Sequence, residues 1–259
     1  MKQTSFTAKE LFGMAYLMKK QKMYGIPNAM EQERNFMLQA VFDGLVAQNI
    51  ADMDMDGVVT LRPAYFETVD TCCDCQKCLT LNVRTEDRTE HSYIFWLRNA
   101  AYTMAEVVDD RYVFSKTEGV MVEAMVNGLL CAPEVGTLTA EAVIPQLEIV
   151  KAGRACKKGD YAEALRIIRR GGATADVSNT IIAGLQKNAY YLGLVYMDMQ
   201  TGDCQKQDLS YVCNEGVLLS LGQTVANLRT CATFTPIKRE DMHDAVKVLV
   251  HRFLEKEGQ

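Results

Sequence analysis

Four cysteines, Cys72, Cys73, Cys75 and Cys78, fall within seven positions of the stretch DTCCDCQKCLTLNV. Thiols at such spacing could hold a metal ion or form a Cys-x-x-Cys redox centre. A structural zinc takes four ligands in a tetrahedral array, usually as two pairs separated by a loop long enough to fold back. No second Cys-x-x-Cys and no neighbouring histidine completes such a set. Redox motifs of this spacing open a helix after a strand, whereas residues 72–78 close a helical pattern before a strand pattern. The spacing predicts buried packing at a helix-to-strand junction, with no metal ligand among these thiols.

A second constellation, Asp52-x-Asp54-x-Asp56-Gly57, copies the first half of a calcium loop, with Val59 apolar at the eighth position. The twelfth position, where a bidentate glutamate is needed, is Pro63, so an acidic turn between a helix and a short strand is expected. The histidines, His91, His243 and His251, form no metal-binding pair, and no nucleophile elbow, phosphate loop or dinucleotide fingerprint is present. No catalytic, cofactor-binding or metal-ligating residue is therefore nominated. The expectation is a protein that is not an enzyme and carries no cofactor.

The elements that position these residues are legible in stretches. Thr7 and Glu10 make a capping box, flanked by Phe6 and Leu11 at the staple positions, and Tyr24-Gly25-Ile26-Pro27 is expected to end that first helix. Asn28 can cap a second helix, in which Met30, Met37, Leu38, Val41, Phe42 and Leu45 share one face. Asp56-Gly57 predicts a turn before a strand at 58–61, and Pro63 opens a third helix carrying Phe66, Val69, Cys72 and Cys73. The period then drops to two over 79–83, 93–97, 101–108 and 112–114, with turns near Glu86-Asp87 and Asp109-Asp110, and a helix over 119–130 closes the segment.

The second half repeats the order. Thr139 is expected to cap a helix running to Cys156, Asp160 with Glu163 to cap DYAEALRIIRR up to Gly171-Gly172, and a third helix to cover 176–187. KKGDYAEALRII resembles half of a tetratricopeptide unit, but such units come in arrays, so one copy reads as a capped helical hairpin. Strands are expected over 189–199, 209–213, 217–221 and 226–233, then a helix from Thr235-Pro236 with Met242, Val246, Leu249, Val250 and Phe253 as its buried stripe. The fold class is thus α+β and pseudo-twofold: two halves, 1–131 and 132–259, each with helices, a three- to four-stranded antiparallel meander and a closing helix. A single domain over 1–259 is expected, because the junction near 131–138 offers only Pro133 and Gly136 as breakers.

Composition narrows the function classes. The chain of 259 residues is 48% hydrophobic and 24% charged, with a net charge of −5 that argues against nucleic acid as a partner. No apolar run reaches the ~20 residues of a membrane span, and MKQTSFTAKELFGM lacks the apolar core of a secretory signal. A cytoplasmic protein is expected, with the remaining cysteines at 131, 156, 204, 213 and 231 as reduced, buried thiols. Residues 7–63 have the order of a winged helix, which keeps a transcriptional regulator as the alternative. They carry no excess of basic side chains and no basic reading helix.

The opening FTAKELFGMAYLM, the segment GLVAQNIADMDMDGVVTLRPAYFETV and the repeated meander-plus-helix order resemble the EspG family, the cytosolic chaperones of type VII (ESX) secretion. The resemblance implies a pseudo-twofold sheet and a non-enzymatic adaptor that holds helical secretion substrates or a secretion-system component. A helix-in-groove docking mode, with methionines adapting to the incoming face, would suit such a partner.

Overall fold

A computed structural model describes residues 4–27, 37–85, 89–129, 140–187, 189–214 and 217–255. The expected cap at Asn28, the face position of Met30, the Glu86-Asp87 turn, the junction at 131–138, the Thr139 cap and Cys131 lie outside the described residues.

Thr4–Thr7 (β1) runs directly into Ala8–Leu17 (α1). The switch from extended to helical backbone is fixed by the expected capping box. The Glu10 N–H donates to Thr7 Oγ1 at 3.2 Å, and the Thr7 N–H donates to Glu10 Oε2 at 2.7 Å. Phe6 and Leu11 are both buried. The helix ends at Leu17, earlier than the Tyr24–Pro27 stop expected, because Lys19 turns into the left-handed region at φ 58°. The chain then crosses a sheet face, held where Trp96 Nε1 donates to the Tyr24 carbonyl and the Tyr24 N–H donates to the Cys72 carbonyl, both at 2.9 Å. Met37–Ala47 (α2) follows, then the hairpin Ala51–Met53 (β2) and Val59–Leu61 (β3). A 3-10 turn at Pro63–Tyr65 leads into Phe66–Cys73 (α3).

Lys77–Arg84 (β4), Glu90–Arg98 (β5), Ala101–Val108 (β6) and Arg111–Thr117 (β7) form the first meander, closed by Gly119–Leu129 (α4). Asp109 and Asp110 form the expected turn, both at positive φ as a two-residue hairpin loop requires. The second half begins with an unexpected strand, Ala142–Pro145 (β8), so the next helix, Gln146–Lys157 (α5), starts later than a Thr139 cap would place it. Tyr161–Arg170 (α6) is capped by Asp160, which accepts from the Glu163 N–H at 3.1 Å, and ends at Gly171. Ala175–Lys187 (α7) precedes the second meander: Tyr190–Asp198 (β9), Cys204–Asn214 (β10), Val217–Ala226 (β11) and Arg229–Pro236 (β12). The last turn is Asn227-Leu228, so Ala226 belongs to β11 and not, as expected, to the strand after it. Arg239–Leu254 (α8) starts later than Thr235-Pro236, because Thr235 and Pro236 still pair with Ser220 and Leu219.

Ten strands form one antiparallel sheet in the order β1-β7-β6-β5-β4-β9-β10-β11-β12-β8, with β2–β3 as a separate two-stranded sheet. Each half thus places its first strand at its outer edge, and the halves meet where β4 pairs with β9, from Lys77↔Asp198 to Arg84↔Tyr191. One face is covered by α4 and α8, which pack on Leu79, Leu81, Phe95, Leu97, Leu194 and Tyr196 on both sides of that seam. On the opposite face α1–α3 cover Cys78, Ile94 and Trp96, and α5–α7 cover Val212, Leu219 and Phe234. The expected stripe of α8 is buried at every position. Its C-terminus is tied to the seam by the buried Lys77, whose Nζ donates to the carbonyls of Arg252 at 2.9 Å and Glu255 at 2.8 Å.

The cysteine cluster sits at the helix-to-strand junction as expected. Cys72 and Cys73 end α3, Asp74 caps it, and Cys78 enters β4; all four thiols are buried. Burial pushes Cys72 and Cys78 well above the ordinary thiol range and Cys73 and Cys75 up to about 12. Cys156 and Cys231 are buried as expected, but Cys213 is only half-buried and Cys204 is exposed. Cys204 lies on an outward-facing position of β10, beyond the stretch covered by α7.

We propose that residues 1–259 form one domain whose halves, 1–131 and 132–259, share the core across the seam. Fluorescence of Trp96 and far-ultraviolet circular dichroism are expected to give coincident unfolding transitions. Fragments 1–131 and 132–259 are expected to be molten or aggregated. Lys77→Met, which strips two charge-assisted hydrogen bonds from α8, should cost about 1.5–3 kcal/mol in denaturant unfolding. Iodoacetamide labelling mapped by mass spectrometry should modify Cys204 in the native protein, and Cys72, Cys73, Cys75 and Cys78 only on unfolding. A thiol raised by burial contributes stability that is present below its ordinary pKa of 9.0, as for Cys72 and Cys78, and is lost as pH rises. The unfolded chain alone then ionises, so stability should fall above about pH 9.

Candidate binding surface

Strand registers fix which side chains share the face between the two helix groups. Three rows cross β5, β4, β9 and β10 there: Ile94, Thr80, Val195 and Lys206; Ser92, Asn82, Gly193 and Asp208; Glu90, Arg84, Tyr191 and Ser210. On β4 the alternation is clean, with Leu79, Leu81 and Val83 buried under α8 and Thr80, Asn82 and Arg84 turned the other way. Asn82, Arg84, Glu90, Lys206 and Asp208 are exposed, so among the described residues no helix covers this strip. One wall is the crossing segment. A Cβ on Gly25, which has φ +78°, would lie 2.6 Å from Ile94 and 3.2 Å from Thr80. The other wall is α7, whose Gly184 lies so close to β10 that a Cβ there would be 2.2 Å from Val212.

The floor is organised around Tyr191. Its ring lies along the sheet over Gly193, where a Cβ would come within 2.5 Å of the phenol oxygen. The hydroxyl donates to Asp208 Oδ1 at 2.8 Å, Lys206 Nζ lies 2.8 Å from Asp208 Oδ2, and the Arg84 guanidinium sits 5.9 Å from the ring centroid. Beside them Ser92 Oγ donates to Asn82 Oδ1 at 2.8 Å. The Lys206 hydrogen bond, which outweighs partial burial and is joined by that of Tyr191, holds the Asp208 carboxyl below its usual range. Burial, and then the bond to that carboxylate, raise the Tyr191 phenol. These groups pair with one another, and the Tyr191 hydroxyl that donates to Asp208 is held protonated by burial and by that carboxylate. The arrangement can present a polar, ring-backed platform to another macromolecule.

The residues singled out in the sequence lie elsewhere. Asp52 accepts from Arg62 Nε at 3.0 Å and Nη2 at 2.6 Å, while Asp54 Oδ1 accepts from the N–H groups of Asp56 and Val58 at 3.0 and 2.8 Å. Asp54 thus closes the hairpin turn, while Asp52 is held by Arg62 at the opposite end of the hairpin. Among the described residues no group of three or more His, Cys, Asp or Glu is placed to hold a metal ion. His91 stacks on Tyr93, and His243, its pKa lowered by partial burial and by Arg239 and Lys247, accompanies the buried stripe of α8. The 7–63 segment is not separate from the sheet: β1 pairs with β7, and Leu11, Leu45, Ile50 and Leu61 share a core with Ile94 and Trp96.

Sequence reasoning missed the platform residues Asn82, Arg84, Tyr191, Gly193 and Asp208. The available signal was the polar face of the alternating CLTLNVR, which an outer face with nothing to bury would show.

No family model matches the chain, and no curated protein matches it. Among solved structures it is similar to the type VII secretion system chaperone EspG5 of Mycobacterium tuberculosis, solved in complex with the PE25–PPE41 dimer. The identity is 12%, over 100% of this chain and 98% of that one, with a TM-score of 0.51. At that identity the likeness is one of architecture, and the chain has an EspG-like fold.

Proposed function

We propose that this protein is a non-enzymatic, chaperone-like adaptor of a type VII-like secretion system that binds helical secretion substrates in the cytosol. The open strip between the two helix groups carries this reading. It spans four strands, three interstrand spacings, or about 14 Å. That width accepts one α-helix with its side chains, about 10–12 Å across. Asp208 would meet a partner's side chains with its charge already matched by Lys206 and its other oxygen held by the Tyr191 hydroxyl. The fold likeness to EspG5, solved with the PE25–PPE41 dimer, supports the same role. Cytosolic residence accords with a chain in which, among the described residues, no helix is long and apolar enough to cross a membrane.

The test is co-expression with helical secretion substrates of the same genome, followed by calorimetry on purified complexes. Asn82→Trp, which fills the floor, and Asp208→Lys, which breaks its pairing, should each weaken binding at least tenfold, about 1.4 kcal/mol. Their melting temperatures should stay within about 3 °C of the parent, since both positions are exposed. Parent-like affinity in both variants would remove the strip from the reading. Tight, sequence-specific capture of duplex DNA by the whole chain would instead favour a regulator.

A further inference from the structure

The sheet is split at a second place. β10 and β11 pair only from Asn214↔Val217 to Tyr211↔Ser220. Beyond that point β10 continues with β9 as far as Cys204↔Met197, and β11 continues with β12 as far as Ala226↔Arg229. Residues 204–210 and 221–226 therefore diverge, each strand keeping its other neighbour.

The groups that face the split follow from the hairpin. Asn227 and Leu228 form a two-residue turn with φ 50° and 60°, so Ala226 and Arg229 exchange main-chain hydrogen bonds. Even-numbered residues of β11 thus turn to β12, and the Ile237 N–H donating to the Leu218 carbonyl at 3.2 Å keeps that phase. Among the described residues, Leu221, Gln223 and Val225, the odd ones, direct their N–H and C=O groups into the split with no ladder partner. So do the even residues Cys204, Lys206, Asp208 and Ser210 from β10. Free edges are ordinarily guarded by charge, proline or a bulge. Residues 221–226, LGQTVA, carry neither charge nor proline, and their ladder to β12 is unbroken. A cavity of about 490 Å³ opens at the head of the split, lined by Leu221, Val212, Phe234, Ile181 and Leu185, with Arg84 and Glu90 at its rim.

We propose that the split is a strand-addition site: one extended segment of a partner polypeptide pairs with β11 along 221–226 and seats an apolar side chain in the cavity. Main-chain donors and acceptors recurring every second residue over about 20 Å are matched by an extended backbone and by no helix or small molecule. The walls carry no net charge, because Lys206 is paired with Asp208 and Arg84 stands opposite Glu90 in the ladder. The segment that fits is therefore itself uncharged, with apolar residues alternating.

Hydrogen exchange on the full-length chain tests the first half of this. In the free protein the amides of Leu221, Gln223 and Val225 should exchange at least tenfold faster than those of Gly222, Thr224 and Ala226. Equal protection would show the split closed and overturn the proposal. The second half is tested with eight-residue peptides selected from a random display library on the full-length protein. Selected peptides should slow exchange at Leu221, Gln223 and Val225 at least tenfold and lose at least tenfold in affinity against Gln223→Pro. That variant removes one outward N–H, keeps the β12 ladder, and follows the permissive Gly222. A library yielding no binder, or binders that protect other segments only, would refute the site. Should Gln223→Pro fail to fold, the exchange pattern of the parent complex still decides.

Discussion

The pairing of β4 with β9 is the constraint on which the rest of this structure depends. Across that seam α8 of the second half covers Leu79, Leu81 and Phe95 of the first, so the two half-sheets share one core cluster. With Lys77–Arg84 lying against Tyr190–Asp198, α4 and α8 pack on a floor drawn from both halves. Lys77 at the head of that seam then serves both levels. It is a ladder residue of β4, and its ammonium closes the carbonyl end of α8. A buried ammonium costs desolvation unless its donors are met, and here helix-terminal carbonyls meet them.

The same arrangement leaves the opposite face open at the seam. Each three-helix group needs strands of its own half to bury its apolar side: α1–α3 on β5 and β6, α5–α7 on β10 to β12. Close packing draws those helices outward, as at Gly184, which brings α7 against Val212. The seam strands between them therefore carry Thr80, Asn82, Arg84 and Tyr191 where a covered sheet would carry aliphatic residues. A platform walled on two sides is thus a by-product of joining two half-sheets edge to edge, and its side chains are polar and mutually hydrogen-bonded. The divergence of β11 from β10 adds a stretch where, among the described residues, main-chain groups of both strands lack ladder partners.

Local signals survived folding well where one element contained the whole interaction. The Thr7–Glu10 box, the Asp160 cap and the Asp109-Asp110 turn are each satisfied within a few residues, and the α8 stripe is set by spacing along one helix, so sequence pattern alone located them. β1 and β8 left no such trace. Each is four residues long, and its partners lie about ninety or more positions away, Thr4 with Phe114 and Ala142 with Phe234. Boundaries failed for the same reason. Pro236 reads as a helix start by local chemistry, yet its pairing with Leu219 keeps it in a strand. Asn227-Leu228 lacks the glycine that announces a hairpin, and the ladder from Val225↔Thr230 inward imposes the turn.

By itself the sequence determined the secondary-structure periods, the caps, the α+β class and the burial of the cysteine cluster, because each rests on side-chain spacing along one element. It also carried the polar face of β4, though not what that face adjoins. The seam, the edge strands, the Tyr191–Asp208–Lys206 platform and the split were decided only by tertiary structure. Each joins residues of two or more strands, and Asn82 becomes a neighbour of Gly193 and Asp208 only once strand register has been set. Register is a property of paired strands, fixed by the common burial of faces that no single strand possesses.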